Sequence, residues 1–294
     1  MSDPIAALIE QERLPRDYAH VVQTYWRPLS HAIARAAADT KPLIVGINGA
    51  QGSGKSTLCR FLEVLLRQRS LRAVTLSLDD LYLTRQERAA LAEEVHPLFA
   101  TRGVPGTHAP TLGMAVIEHI RAGRSFDLPR FDKARDDRRE AGERVTGPVD
   151  VLLFEGWCVG AAPQDAAALE RPVNDLEAQE DADGTWRALV NQWLAQDYAR
   201  LFAQIDLLVM LKVGDFGAVR RNRTLQEAKL RAACPDAAAA MDDAQLARFL
   251  AHYERLTLHM LAEMPARADV VFEIEAGQIP SRLPDGLAAA GAIS

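Results

Sequence analysis

The sequence predicts an α/β fold in which a doubly wound, five-stranded parallel sheet is flanked by helices. Five short runs rich in Val, Leu and Ile do not alternate with polar residues, as is typical of strands covered on both faces. Amphipathic helical patterns separate these runs, and strands that alternate with helices favour parallel βαβ units. No stretch has the composition of a linker, so we expect the 294 residues to form a single domain with insertions.

The predicted elements follow one another along the chain in a regular order. We place the strands at residues 43–47, 73–78, 149–154, 205–213 and 269–274. Helical spacing of apolar residues predicts helices at 17–38, 55–68, 111–122, 186–202 and 246–260. Asp242 and Gln245 form a capping box at the start of the last of these helices. Residues 1–40 are therefore expected to be a helical extension, 41–275 the core and 276–294 a tail.

Composition and charge exclude several classes of protein. The apolar share of 48% and the charged share of 25% are ordinary for a globular protein, and the net charge of −6 offers no basic surplus for a nucleic-acid backbone. The longest apolar runs are too short to span a bilayer. Cys59, Cys158 and Cys234 form no CxxC pair, and the first residues show no signal-peptide pattern. We therefore expect a cytoplasmic protein with reduced thiols and a small-molecule partner, acting on neither nucleic acid nor membrane.

A glycine-rich loop, GINGAQGSGKST, separates the first predicted strand from the next helix. Its sequence satisfies GxxxxGK[ST], the phosphate-binding loop of P-loop NTPases, whereas a plain glycine turn at a helix start is the alternative. Backbone N–H groups and the helix dipole favour an anion there. Lys55 would reach the β- and γ-phosphates of ATP or GTP, Ser56 would ligate Mg²⁺, and Thr57 would contact the α-phosphate. The predicted nucleotide-binding residues of the loop are Gly49, Gln51, Gly52, Ser53, Gly54, Lys55, Ser56 and Thr57.

Acidic residues follow two other predicted strands, at the sheet edge where ligands bind in such folds. In the stretch SLDDLY, one of Asp79 and Asp80 could accept a proton from a substrate hydroxyl while the other holds metal or its waters. An Asp pair that caps the next helix is the alternative. Glu155 ends the apolar run VDVLLFEGW, and a carboxylate there would complete the Mg²⁺ shell with Ser56 through water.

These segments together resemble one family. The glycine loop, LDDLY, LPRFDKARDDR and LLFEGW occur in the order and spacing of the phosphoribulokinase/uridine kinase group of P-loop kinases. Within that group the chain resembles the D-glycerate 3-kinase family, plant and bacterial-fungal type, on the stretches RGVPGTH, FDKARDDR, FEGWCVG, NRTLQE and MDDAQLARFLAHYERLT. The similarity extends over nearly the whole chain from about residue 40. It departs from the family at Asn222, where a tryptophan is usual before the lid arginine, and at Ala134, where a serine is common.

The resemblance implies roles for the acidic residues and for two insertions. Asp79 occupies the position of the catalytic base, and Asp80 occupies its companion position. A substrate hairpin is expected at about residues 125–146 and a lid at about residues 214–240. The expected metal ligands are Ser56, Asp79 and Glu155.

The predicted hairpin is dense in charged residues, which either form a solvated surface or bind the acceptor. A small acid needs cations that pair with its carboxylate, best in a bidentate fork. The hairpin has few aromatic residues, whereas a nucleoside kinase would need them to stack a base. His108 is a candidate for a hydrogen bond to a substrate hydroxyl, with a core histidine as the alternative. The candidate substrate-binding residues are Asp80, Tyr82, Arg102, His108, Asp132, Lys133 and Arg138.

Arginines at positions 220, 221 and 223 follow the fourth predicted strand. Related kinases close a lid here whose arginine neutralises the migrating phosphoryl group. Arg223 matches the family's lid motif and is the first candidate for this catalytic role, beside Lys55 and Asp79, and Arg220 is the second candidate and would contact the nucleotide. A basic helix end favoured by the helix dipole is the alternative. Gln226 and Glu227 also match the motif, without an assigned role.

The resemblance implies an ATP-dependent phosphotransferase that uses Mg²⁺ and converts D-glycerate into 3-phosphoglycerate. Two alternatives stay open: a kinase of another small alcohol, similar to uridine, cytidine or pantothenate kinases, and an ATP-dependent switch protein. A switch would have mobile loops and groups that position water, but no hairpin for an acceptor. The sequence itself indicates neither the oligomeric state nor a preference for ATP over GTP.

Overall fold

The computed structural model of the chain describes residues 3–233 and 241–288. Its main sheet has five parallel strands in the spatial order Ala73–Ser77, Val151–Gly156, Leu43–Gly49, Leu207–Val213 and Val270–Ile274, which confirms the predicted doubly wound α/β fold. The strands are β1 (Leu43–Gly49), β2 (Ala73–Ser77), β3 (Phe126–Leu128), β4 (Phe131–Asp132), β5 (Asp137–Arg138), β6 (Glu143–Val145), β7 (Val151–Gly156), β8 (Leu207–Val213) and β9 (Val270–Ile274).

Two strands begin two residues later than predicted, because an aspartate precedes each of them. The Asp150 carboxylate accepts a hydrogen bond from the backbone N–H of Arg72 at 2.8 Å, just before β7. The Asp206 carboxylate accepts one from the backbone N–H of Ile44 at 2.8 Å, just before β8. The backbones of both aspartates also pair with the neighbouring strands, so each aspartate joins the edge of the sheet just before its strand begins.

Helices cover both faces of the sheet. They are α1 (Pro4–Gln11), α2 (Tyr18–Val21), α3 (Arg27–Asp39), α4 (Lys55–Arg67), α5 (Arg85–Glu94), α6 (Pro110–Arg121), α7 (Asp175–Glu180), α8 (Thr185–Trp193), α9 (Ala199–Phe202), α10 (Phe216–Ala233), α11 (Asp243–Glu263) and α12 (Asp285–Ala288). π-helical turns join α2 to α3 and α8 to α9, so the helices predicted at 17–38 and 186–202 are each continuous. The predicted capping box of Asp242 and Gln245 is present at the start of α11.

The individually predicted helices do not include α1, α5, α7, α10 and α12. Helix α5 lacks an apolar stripe, since its buried residue is Arg88. Helices α1 and α7 span 8 and 6 residues, which is too short for a clear helical period.

The N-terminal helices form part of the main core. The Trp26 ring meets Phe272 of β9 edge-on, with ring centroids 5.2 Å apart, and Leu29 and Ile33 are fully buried. Burial of each such side chain contributes about 1.5–3 kcal/mol to folding. Helix α3 therefore covers one face of the sheet, while α6, α9 and much of α11 cover the other.

The two expected insertions correspond to distinct elements. Antiparallel pairs β3–β6 and β4–β5 lie between α6 and β7, in the predicted hairpin region. Helix α10 occupies the described part of the predicted lid. Residues 234–240, with Cys234 and the alanine-rich patch 237–240, and residues 289–294 of the predicted tail lie outside the described residues. Cys59 and Cys158 are buried free thiols.

Within the described ranges, none of the helices combines the length and the apolar character that crossing a membrane requires.

Candidate active site

The glycine loop follows β1 directly and ends where α4 begins. Gly52 and Gly54 have φ angles of +74° and +92°, in the left-handed region that favours glycine. A Cβ atom on Gly49 would lie 2.5 Å from Ser53 Oγ, and one on Gly52 would lie 2.9 Å from Cβ of Asn222 on α10. The loop is thus packed too closely for larger residues at these positions, and Asn222 brings the lid helix against it.

The loop carries two polar side-chain groups, the ammonium of Lys55 and the hydroxyl of Ser53. Lys55 Nζ donates a hydrogen bond to the backbone oxygen of Ala50 at 3.1 Å. Desolvation lowers the pKa of Lys55, although Glu155 and Asp79 act in the opposite direction. The buried Ser53 hydroxyl has no hydrogen-bond partner among the described residues. An anion in the loop would compensate both groups, and this fits a nucleotide phosphate.

Ser56 and Glu155 meet at the carboxyl ends of β1 and β7. Ser56 Oγ donates a hydrogen bond to Glu155 Oε1 at 2.9 Å. Burial raises the pKa of Glu155, although Lys55 nearby acts to lower it. Ser56, Glu155 and Asp79 line one cavity and present only oxygen atoms, the ligand type that Mg²⁺ takes in proteins. Mg²⁺ retains waters and phosphate ligands, so this sparse set of protein ligands fits it.

Asp79 has a defined partner on each carboxylate oxygen. It lies in the short 3₁₀ turn Leu78–Leu81 that follows β2. Its Oδ1 accepts a hydrogen bond from the Tyr82 hydroxyl at 2.8 Å, and its Oδ2 accepts one from Lys133 Nζ at 2.6 Å. Burial alone would raise the pKa of Asp79, but the Lys133 ammonium and the Tyr82 hydroxyl hold the pKa below its ordinary value. The carboxylate is therefore ionised at neutral pH, as a general base must be.

A cavity of about 350 Å³ joins the glycine loop to these acids. The predicted site residues that line it are Gln51, Gly52, Lys55, Ser56, Asp79, Tyr82, Arg102, Lys133, Glu155 and Arg223. A larger groove of about 580 Å³ lies at the outer edge of β2 and contains none of the predicted site residues. The cavity next to the loop is therefore the site with the chemistry of a phosphotransferase.

The cavity also includes residues to which the sequence assigned no role. They are Ser77, Gly156, Trp157, Gln226, Phe249 and Tyr253. Phe249 and Tyr253 have the spacing of a buried helix face on α11, so their pattern could not be told from core. Trp157 directly follows the FEG motif, and this position was the one feature of the sequence that could have identified it as a cavity residue.

Arg102 is fixed from several sides. Its guanidinium forms an ion pair with Asp136 of the hairpin. Its backbone oxygen accepts a hydrogen bond from the Tyr253 hydroxyl at 3.0 Å. Next to it, Trp157 Nε1 donates to the backbone oxygen of Gly103 at 2.8 Å. Arg102 is thus a cation at the wall of the cavity, and two aromatic residues hold the backbone at Arg102 and Gly103 in place.

Four predicted substrate-binding residues do not line the cavity, and three of them hold the hairpin instead. Asp80 accepts hydrogen bonds from Arg130 Nη1 at 2.9 Å and from the backbone N–H of Phe131 at 3.1 Å. Asp132 accepts two backbone N–H groups of its own turn. Arg138 donates to the backbone oxygen of Tyr82 at 3.2 Å and pairs with Glu87. These contacts engage the three side chains that we expected to meet a substrate.

His108 lies behind the cavity wall, as its core alternative predicts. Its side chain is buried, and Nδ1 lies 2.7 Å from the Tyr198 hydroxyl. Burial lowers the pKa of His108 to about 3, so the ring is neutral. It stacks on Tyr82, the residue that donates to Asp79.

The two candidate lid arginines lie in different places. Arg223 lines the cavity, and its guanidinium carbon lies 5.9 Å from the centroid of the Phe249 ring. Arg220 is exposed and lines a separate depression of about 360 Å³ between α7, α10 and α11. The structure therefore does not bring Arg220 to the nucleotide-binding loop, because it points to another side of α10.

Comparisons with known proteins point in one direction. The chain is 34% identical over 226 residues to an uncharacterized kinase of Schizosaccharomyces pombe, covering 72% of this chain and 79% of that protein. It is 30% identical over 247 residues to the chloroplastic D-glycerate 3-kinase of Arabidopsis thaliana, covering 79% of this chain and 51% of that protein. This chain thus spans about half the length of the plant relative.

A solved structure extends the comparison to the fold. D-glycerate 3-kinase from Cryptococcus neoformans superimposes with a TM-score of 0.69 at 29% identity, covering 87% of this chain and 95% of that one. No protein-family model matches the chain.

Proposed function

Because the chain belongs to the D-glycerate 3-kinase family of P-loop kinases, we propose that it transfers the γ-phosphoryl group of ATP to D-glycerate and yields 3-phosphoglycerate. One observation supports this proposal most directly. The ionised Asp79 and the loop lysine Lys55 face the same cavity, and Lys133 and Arg102 bring two further cations to it. A phosphate donor and a small anionic acceptor can therefore be held side by side.

The glycine loop would hold the triphosphate of ATP. Its backbone N–H groups and Lys55 would neutralise the β- and γ-phosphates. Bound Mg²⁺ would offset the charge on the same phosphate oxygens, and Ser56, Asp79 and Glu155 would hold the ion directly or through water.

The acceptor end of the cavity favours a small acid. Arg102 and Lys133 supply the positive charge that a carboxylate needs. Trp157, Tyr82 and Tyr253 are almost fully buried, and their polar atoms are engaged with protein partners. They form a closed wall rather than an open ring face on which a nucleoside base could stack.

The transfer itself would follow from these positions. The acceptor hydroxyl would approach the γ-phosphorus in line, so that its O–P bond forms as the bond to the β-phosphate oxygen breaks. Asp79 would take the hydroxyl proton, and ADP would leave with the electron pair of the broken bond. Lys55 and Arg223 would offset the charge of a loose transition state, where positioning and electrostatics supply most of the rate enhancement.

An acceptor panel tests this function. ADP release would be measured with ATP, Mg²⁺ and each of D-glycerate, L-glycerate, uridine and pantothenate, and phosphorus NMR would locate the phosphate on the product. We expect kcat/KM for D-glycerate to exceed the others by at least about 100-fold, since sites that hydrogen-bond a substrate reject analogues by up to about 10⁴- to 10⁵-fold. Faster turnover of uridine or pantothenate would overturn the proposal. ADP release that ignores every small acceptor and rises with a protein partner would favour the switch alternative.

We also propose the cytoplasm as the site of action, since the three cysteines show no disulfide pattern and are expected to be reduced thiols. The name of the Arabidopsis relative places that protein in the chloroplast. Fractionation of cells that produce a tagged full-length chain tests this location.

A further inference from the structure

We propose that Glu227 is the positioning residue that aims Arg223 into the cavity, an inference that rests on the proposed phosphoryl transfer. Neither the sequence motif nor the comparisons assign a role to Glu227. It lies on α10, one turn after Arg223, and its side chain does not line the cavity. It therefore acts on bound phosphate only through Arg223.

The first support is the burial of a charged group. The Glu227 side chain is 1% exposed, and its Oε2 lies 2.6 Å from Nη1 of Arg223 in an ion pair. Within the described ranges, that oxygen makes no hydrogen bond besides this ion pair. A buried carboxylate is costly unless a cation compensates it, so the Glu227 charge favours the Arg223 rotamer seen here.

The second support is a link between two helices. Glu227 Oε1 accepts a hydrogen bond from the backbone N–H of Met241 at 2.9 Å, just before α11 begins. Farther along α11, the Phe249 ring lies beneath the Arg223 guanidinium, whose carbon is 5.9 Å from the ring centroid. Arg223 is thus held by a carboxylate from its own helix and by an aromatic ring from α11, and Glu227 ties these helices together.

Neighbouring arginines on α10 lack this arrangement. Arg221 lies 3.9 Å from Asp215 with both side chains mostly exposed, and Arg220 faces a different depression. Arg223 is 19% exposed and lines the cavity. A guanidinium that is fixed before the charge develops stabilises a transition state more than a mobile one. The buried carboxylate therefore matters for kcat rather than for substrate binding.

Glu227→Gln tests the proposal, because it keeps the shape of the side chain and its acceptor for Met241 while removing the charge. We expect kcat to fall about 10- to 100-fold, with KM for ATP and acceptor changed by less than about threefold. The matched control is Glu263→Gln. Glu263, the last residue of α11, forms an ion pair with Arg267 four residues later at the same 2.6 Å distance. This pair lies outside the cavity, and its loss should leave kcat unchanged.

A double variant separates positioning from general stability. If Glu227 acts through Arg223, adding Glu227→Gln to Arg223→Ala will lower kcat no further, and the melting temperature of Glu227→Gln will stay close to that of wild type. A kcat within about twofold of wild type for Glu227→Gln, or a multiplicative loss in the double variant, would overturn the proposal. Should Glu227→Gln not fold, Glu227→Asp keeps the charge but retracts it, and the same loss of kcat is expected.

These assays use the acceptor that gives the highest wild-type kcat in the panel. If D-glycerate fails as a substrate but another alcohol is phosphorylated, the proposed function is wrong while the role of Glu227 is still measured.

Discussion

Lys133 Nζ lies 2.6 Å from Oδ2 of Asp79, and this ion pair joins the hairpin to the candidate base. The pair holds the pKa of Asp79 below its ordinary value, against the effect of burial. A general base must be ionised, so the base would be ready for proton transfer throughout the neutral range.

Asp79→Asn removes the candidate base while retaining the size of the side chain. We expect kcat to fall by at least about 100-fold, the usual contribution of general base catalysis. ATP affinity, measured by titration calorimetry, should stay near that of wild type because the glycine loop is intact. Wild-type turnover in this variant would rule out Asp79 as the base.

Lys133→Met should move the acid limb of the pH profile. Without the ammonium, burial dominates and raises the pKa of Asp79, so activity will be lost at a higher pH as the solution is acidified. The measurement is kcat/KM as a function of pH in both proteins. Arg135→Met is the control, since Arg135 is an exposed residue of the same turn, and its acid limb should match that of wild type. An unchanged limb in Lys133→Met would contradict this role.

Arg223→Ala and Arg220→Ala should differ sharply. Loss of an arginine that stabilises the migrating phosphoryl group lowers kcat by about 1,000-fold or more. Arg223 lines the cavity, whereas Arg220 does not, so we expect Arg220→Ala to change kcat by less than about threefold. Steady-state kinetics of the two purified proteins decide between the arginines. A large loss in Arg220→Ala with little effect in Arg223→Ala would reverse the assignment.

His108 should make stability depend on pH below neutrality. Its folded pKa is about 3, below the ordinary value of 6.5, so the unfolded chain binds a proton first as the pH falls. Stability is therefore fully present above pH 6.5 and declines as the pH falls towards 3. Between pH 7 and pH 5 this group alone lowers the free energy of unfolding by about 2 kcal/mol.

Urea denaturation of wild type and His108→Gln at both pH values measures this effect. The variant should lose less stability than wild type over the same interval, because glutamine does not titrate. Equal losses in the two proteins would show that the buried ring does not control the acid sensitivity.

The sequence was sufficient for the fold because each strand carries its own local signal. Continuous Val, Leu and Ile runs marked the five sheet strands. The glycine loop, the aspartate pair and Glu155 marked the ends of β1, β2 and β7. The glycine loop and Glu155 were recognisable for the same reason, since their chemistry lies in consecutive residues.

The rest of the site depends on contacts between distant segments. Tyr253 and Phe249 reach the cavity from a helix about 200 residues after the loop, and their helical spacing resembles that of any buried face. Asp80 and Arg138 look like ligands in sequence, yet each has a partner within the hairpin or beside it. Sequence alone cannot tell whether a charged side chain is already paired.

The ion pair between Arg102 and Asp136 affects how an acidic acceptor would bind at this site. An acceptor carboxylate that pairs with Arg102 would replace the carboxylate of Asp136, which belongs to the hairpin. Arg102 is paired with a carboxylate both before and after such an exchange. Added salt should therefore weaken acceptor affinity less than it would for a lone arginine in water. Selectivity among acceptors would then depend on how well the acceptor carboxylate takes the position of the Asp136 carboxylate against Arg102. Long-range electrostatic attraction would contribute less.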